Sequence, residues 1–231
     1  MRWLAREGVN GIDAFVDIRR RLPRFEIRRM FDVGANSGQT SLAYGGLFPR
    51  AEIYAFEPGP KAFAKLRRAV AGHKQIHVHA TAVGATSGEV EFLEEDDTLR
   101  SRVTSRADAQ SLVVPMTTID EFCSLHNLET ISYLKIDTEG HEREVLAGAS
   151  RMLREGRISF IETECGLNST NTYHVPFETI KGVLDGDGYR LFGIYRQVAE
   201  WPTGHPHLRR GNAVFLASAE SEKARMRIPQ R

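Results

Sequence analysis

Cysteine is scarce in this chain. Cys123 and Cys165 are the only two among 231 residues, far apart and in no CxxC pair. That pattern argues against a disulfide framework and against a structural zinc site. An excess of charge is also lacking: 31 Lys and Arg face 30 Asp and Glu, for a formal net charge of +1. A dedicated nucleic-acid binder usually shows a strong basic excess, so none is expected here. No run of about 18 apolar residues is available for a transmembrane helix. Arg2, Arg6, Glu7, Asp13 and Asp17 interrupt any apolar signal core at the N-terminus. The expectation is a soluble, cytoplasmic protein. Internal repeats and low-complexity segments are absent. What is present is an ordinary globular composition, 41% hydrophobic and 26% charged, in a length that suits one α/β domain.

Short apolar runs at 30–33, 52–56, 131–136 and 158–161 predict buried strands. Ile76, Val78 and Ala80 predict another; Val90 and Phe92 continue as an antiparallel arm. Val113 and Val114 suggest a short edge strand, where Pro115 is tolerated. Helices are predicted over about 39–47, 60–71 and 118–126, and from Pro176 through 184. One more follows Asp137, with Val145, Leu146, Ala149, Met152 and Leu153 on one stripe. Strands at 189–195 and 212–217 finish the chain, separated by a long loop. At the N-terminus, Trp3, Leu4, Ile12, Phe15, Val16 and Ile18 share a helical face, and Arg19 to Arg29 form a basic stretch. The organisation expected is an N-terminal helical segment (1–29), a main domain (30–218) and a polar tail (219–231). Alternating strands and helices imply a mainly parallel sheet covered on both faces. Ligands in such sheets bind beyond the carboxyl ends of the strands.

That rule selects the run from Asp32 to Thr40, DVGANSGQT. Gly34 and Gly38 let the backbone turn tightly and approach a ligand. Glu57 ends the next strand, where a carboxylate can accept both hydroxyls of a ribose. A dinucleotide fingerprint needs a second glycine where Asn36 stands. An S-adenosyl ligand has no phosphate and does not need it; its ammonium suits Asp32.

Four runs, FDVGANSGQTSL (31–42), AFEP (55–58), TAVG (81–84) and LKIDTEGHEREVLAGA (134–149), together resemble the FkbM-type methyltransferases. The resemblance implies a Rossmann-like class I methyltransferase fold: a mainly parallel seven-stranded sheet with a C-terminal antiparallel hairpin and, here, an N-terminal helical addition. It implies a SAM-dependent O-methyltransferase (SAM, S-adenosyl-L-methionine). Asp32, Gly34, Asn36, Ser37 and Gly38 would cradle the methionine part of SAM, Glu57 would hold the ribose, and Ala82 and Val83 would flank the adenine. Family members act on glycans, glycolipids and natural-product scaffolds, so the expected acceptor is a sugar hydroxyl.

Methylating a hydroxyl requires in-line positioning and removal of a weakly acidic proton. His141, just after the fourth main strand, is a candidate general base. Asp137, with Glu162 and Glu164 after the fifth, offers hard oxygen ligands for Mg²⁺, in an arrangement similar to catechol-type O-methyltransferases. His174, in a loop rich in Asn, Ser and Thr, suits hydrogen bonds to a sugar. His77 and His79 read as structural. Arg100 and Arg102 are candidates for a lid, and Trp201 and His205 for an acceptor-stacking edge or simply a packed loop. Two rivals remain: an NAD(P)-dependent oxidoreductase on the same sheet, and a catalytically silent SAM-binding subunit. A homodimer is compatible with the sequence, which does not fix it.

Overall fold

The computed structural model describes residues 13–94, 102–103, 111–220 and 222. Its main sheet has seven strands: β1 (Arg29–Val33), β2 (Glu52–Phe56), β3 (Ile76–His79), β8 (Ile131–Ile136), β9 (Ile158–Gly166), β10 (Tyr189–Ala199) and β11 (Leu208–Ala217). They lie in the order β10-β11-β9-β8-β1-β2-β3. The five from β3 to β9 are mutually parallel, and β11 runs antiparallel to both its neighbours. The expected fold is therefore present, C-terminal hairpin included.

Helices α1 (Ala14–Arg21), α2 (Gln39–Leu47), α3 (Pro60–Ala69), α4 (Ile119–Leu125), α5 (Glu142–Ala147), α6 (Ser150–Arg154) and α7 (Phe177–Gly186) cover the sheet. Alternation along the strands splits the core between the two faces. Phe31, Val33, Leu134 and Ile161 pack with α4, α5 and α6 on one side. Met30, Ile53, Tyr133 and Phe160 pack with α2 and α3 on the other. Local chemistry sets the helix starts. Asp13 accepts a bond from the Val16 N–H at 3.0 Å, and Thr118 from the Glu121 N–H at 3.0 Å.

Several expectations are corrected. β4 (Ala82–Val83), β5 (Gly88–Leu93), β6 (Arg102–Val103) and β7 (Ser111–Thr117) form a separate four-stranded sheet in the order β4-β7-β5-β6. β7 is thus an inner strand. Pro115 is tolerated there because β4 pairs only with the next two residues, Met116 and Thr117. The helix after β8 is two pieces, and Gly148 between them packs on Gly84: a Cβ at Gly148 would lie 2.0 Å from the Gly84 carbonyl oxygen. Its apolar stripe is nevertheless buried as expected. β9 continues to Gly166 because β11 pairs along it, so Glu162 and Glu164 lie inside a strand, not after one. The final hairpin is longer than expected, and its loop shrinks to 200–207. On α1, Val16 is exposed and Asp17 is buried, held by the Tyr195 hydroxyl at 2.9 Å and Arg20 at 3.0 Å. Trp3, Leu4, Ile12 and Arg100 lie outside the described residues. Both cysteines are buried and free. Among the described residues, no helix is long and apolar enough to cross a membrane.

Candidate active site

Two turns meet at the carboxyl edge of the sheet. The first follows β1. Gly34 has φ +82°, and its N–H donates to the Phe56 carbonyl at 3.0 Å. The second follows β8, where the Asp137 N–H donates to the Val33 carbonyl at 3.0 Å. The turns are so close that a Cβ on Gly34 would lie 1.8 Å from the Asp137 carbonyl oxygen. Gly38, at φ +91°, starts α2 and packs against Leu66 of α3.

Between these turns and β4 lies a cavity. Of the expected site residues, Gly34, Asn36, Glu57, Ala82, Val83, Asp137 and His141 line it, joined by Phe56, Pro58, Thr81, Phe92, Thr138 and Glu139 among others. Glu57 is fixed by two backbone donors, the Asn36 N–H at 2.9 Å and the Gly59 N–H at 2.8 Å. Burial pushes its carboxyl up to about 7 against those two donors. A buried carboxylate with spare lone pairs suits a neutral diol such as a ribose.

Asp32 is not among the residues that line the cavity. It is fully buried, accepts from the Ser41 hydroxyl at 2.6 Å and lies 3.7 Å from the Lys135 ammonium. Burial raises its pKa, with Lys135 and Ser41 opposing. Ser37 and Gly38 are likewise not in the cavity lining; Gly38 serves the α2–α3 contact.

Lys135 is the residue that sequence reasoning passed over. It is buried near the carboxyl end of β8 and donates to Asp137 at 2.9 Å. Burial alone would lower its pKa, but the Asp137, Asp32 and Glu162 carboxylates outweigh burial and raise it. Burial raises the Asp137 carboxyl in turn, and Lys135, with Arg210 and His174 adding to it, reverses this and leaves it below the usual range. The signal was available: a lysine inside the apolar run ISYLKI needs carboxylate partners.

The expected trio of Mg²⁺ ligands is not brought together. Asp137 is held by Lys135. Glu162 is turned into the core, where it accepts from the Tyr133 hydroxyl at 2.6 Å and the Asn212 amide at 2.7 Å. Glu164 instead meets His174 Nε2 at 3.1 Å and pairs with Arg210. Among the described residues, the acidic and histidine atoms near enough to share a cation belong to Glu139, Glu164 and His174. They fit a metal poorly. Arg210 already neutralises Glu164, and His174 has Asn171 on Nδ1 and Glu164 on Nε2. Glu164, His174, Asn171 and Arg210 thus form an ion and hydrogen-bond cluster, and Glu139 stands at its border.

His141 lines the cavity, but its Nε2 is buried without a partner, 3.0 Å from where a Gly84 Cβ would stand. Burial lowers its pKa, with Glu144 opposing. His79 stacks among Tyr54, Phe56 and Phe122, and burial pushes it down to about 4, as a structural histidine should be. Trp201 is exposed at the hairpin tip with the Arg209 guanidinium 4.7 Å over its ring.

A family model described as the methyltransferase FkbM domain matches residues 32–191. The chain is 25% identical over 192 residues to the 2-O-methyltransferase NoeI of Sinorhizobium fredii, covering 76% of this chain and 75% of that protein. It is 24% identical over 141 residues to the hexuronic acid methyltransferase AglP of Haloferax volcanii, covering 60% and 57% respectively. Among solved structures, Aeropyrum pernix fibrillarin in complex with SAM is similar at a TM-score of 0.48 and 17% identity, covering 83% of this chain and 68% of that one.

Proposed function

The chain belongs to the FkbM methyltransferase family and is a SAM-dependent methyltransferase, and on that premise we propose that it methylates a hydroxyl of a sugar. One observation carries this reading. The cavity that carries Glu57 is also lined by Glu139, which stands beside the polar cluster of His174, Glu164, Asn171 and Arg210. Glycan acceptors are rich in hydroxyls and bind through such groups. Of the two relatives, the 2-O-methyltransferase supports transfer to an oxygen and the hexuronic acid methyltransferase supports a sugar as the substrate class. The chain spans only 57% of the second of these, so its support extends to chemistry and no further.

In this reading Glu57 holds the ribose, Gly34 and Asn36 face the methionine part, and Ala82 and Val83 flank the adenine. SAM supplies an activated methyl group on a sulfonium sulfur. The protein positions the acceptor oxygen in line with it and receives the hydroxyl proton. Two cavity residues could receive it: His141, the first candidate from sequence, and Glu139.

The test is methyl transfer from labelled SAM to a panel of methyl glycosides of neutral hexoses, deoxyhexoses and hexuronic acids. The expected product is an alkali-stable methyl ether on one class of sugar. An alkali-labile methyl ester would overturn the hydroxyl assignment. Absence of transfer to every glycoside, with S-adenosylhomocysteine (SAH) still bound, would overturn the sugar assignment and favour the silent subunit.

A further inference from the structure

We infer that Glu139 is the catalytic residue that takes the proton from the acceptor hydroxyl, with His174, Glu164 and Arg210 as positioning residues around it. The inference rests on the hydroxyl reading above.

Placement comes first. Glu139 follows β8 in a turn with φ +53° at Glu139 and +102° at Gly140. A non-glycine residue in the left-handed region costs on the order of 1 kcal/mol and persists only where surrounding contacts impose it. The consequence here is a side chain shared between two environments. It lines the cofactor cavity, and its Oε2 lies 3.9 Å from His174 Nε2.

Availability comes second. The carboxylates that border the cavity beside Glu139 each hold a partner, and Glu57 keeps its spare lone pairs for the ribose. Lys135 holds Asp137, two backbone N–H groups hold Glu57, and Arg210 with His174 holds Glu164. Both nitrogens of His174 have partners, and Nε2 of His141 is closed off beside Gly84. The Glu139 carboxylate accepts no hydrogen bond from any described residue, so its lone pairs are open to an incoming hydroxyl.

Electrostatics agrees. Burial pushes the Glu139 carboxyl up to about 7; Asp137 and Glu142 push the same way, while His174 and Arg210 oppose them. A base poised near neutrality combines a useful ionised fraction with real proton affinity. In the step itself, the acceptor O–H proton passes to the Glu139 carboxylate while the oxygen forms a bond to the methyl carbon. The sulfur–methyl bond breaks with its electron pair left on sulfur, giving neutral SAH, an ether and protonated Glu139. The proton then leaves to solvent.

Two measurements test this, and they fail separately. The first needs no acceptor: calorimetric titration with SAM and with SAH near pH 7, in buffers of different ionisation heat. A sulfonium entering beside Glu139 favours its ionised form. SAM should therefore release a fraction of a proton more than SAH does, and E139Q should erase that difference. An equal release by SAM and SAH in the wild type would overturn the placement. The second uses whichever methyl glycoside the wild type accepts. E139Q should lower kcat by about 100-fold or more, with SAH affinity kept within threefold. The acidic limb of the kcat pH profile should disappear, and E139D should restore part of the rate. Activity in E139Q within threefold of wild type would overturn the catalytic role. If no glycoside is methylated, the sugar assignment fails, while the proton count still decides where Glu139 stands.

Discussion

Replacing Lys135 by methionine should cost the fold about 3–5 kcal/mol at neutral pH, the usual penalty for leaving buried charge without its partner. The ammonium lies 2.9 Å from Asp137 and 3.7 Å from Asp32, and Asp32 is fully buried. Methionine fills a similar volume, so packing is largely kept and the loss is electrostatic. The pH dependence carries the sign. Burial already raises the folded pKa of Asp32, and without Lys135 it rises further above the unfolded value. The contribution of Asp32 to stability is then present at low pH and lost as pH rises through the folded value. The urea midpoint of Lys135→Met should therefore recover towards wild type as the pH is lowered from 7 to 5. A midpoint shift worth less than about 1 kcal/mol would mean that the ammonium does not hold the two turns as described.

Gly34→Ala should also be severe, and for a steric reason. The new Cβ would stand 1.8 Å from the Asp137 carbonyl oxygen, on a residue at φ +82°. Neither the strand end nor the turn can give way without opening the cavity. A loss of about 3 kcal/mol combines strained backbone and overpacking, and SAH binding should fall at least 100-fold. Gly46→Ala is the contrast. Gly46 lies in α2 with nothing within 4 Å of the added atom, so a gain of about 0.5–1 kcal/mol is expected from helix propensity. Equal behaviour of the two variants in urea unfolding would contradict the steric picture.

Much of the scaffold was legible because its signals are local. α2 and β2 occupy the ranges that apolar spacing and the stop at Pro49 predict. The cavity residues Gly34, Asn36, Glu57, Ala82 and Val83 follow from their places at strand ends. What sequence could not give was side-chain partnership. Asp32 and Glu57 both occupy β-strand ends, yet one is sealed under Ser41 and Lys135 and the other lines the cavity. Glu162 and Glu164 are two residues apart in a strand. One pairs with Tyr133 and Asn212, the other with His174 and Arg210. Where β9 stops depends on pairing with β11, Gly166 against Arg210, which no local pattern encodes. Likewise Glu139 gains its setting from a loop that returns His174 to the turn after β8.

The most direct measurement is calorimetric titration of SAH into wild-type protein and Glu57→Ala. The wild type should bind one SAH per chain, and Glu57→Ala should bind at least tenfold more weakly, with its urea midpoint near wild type. Equal affinity in the two proteins, or no binding by the wild type, would contradict placement of the cofactor in the cavity between β1, β2 and the turn after β8.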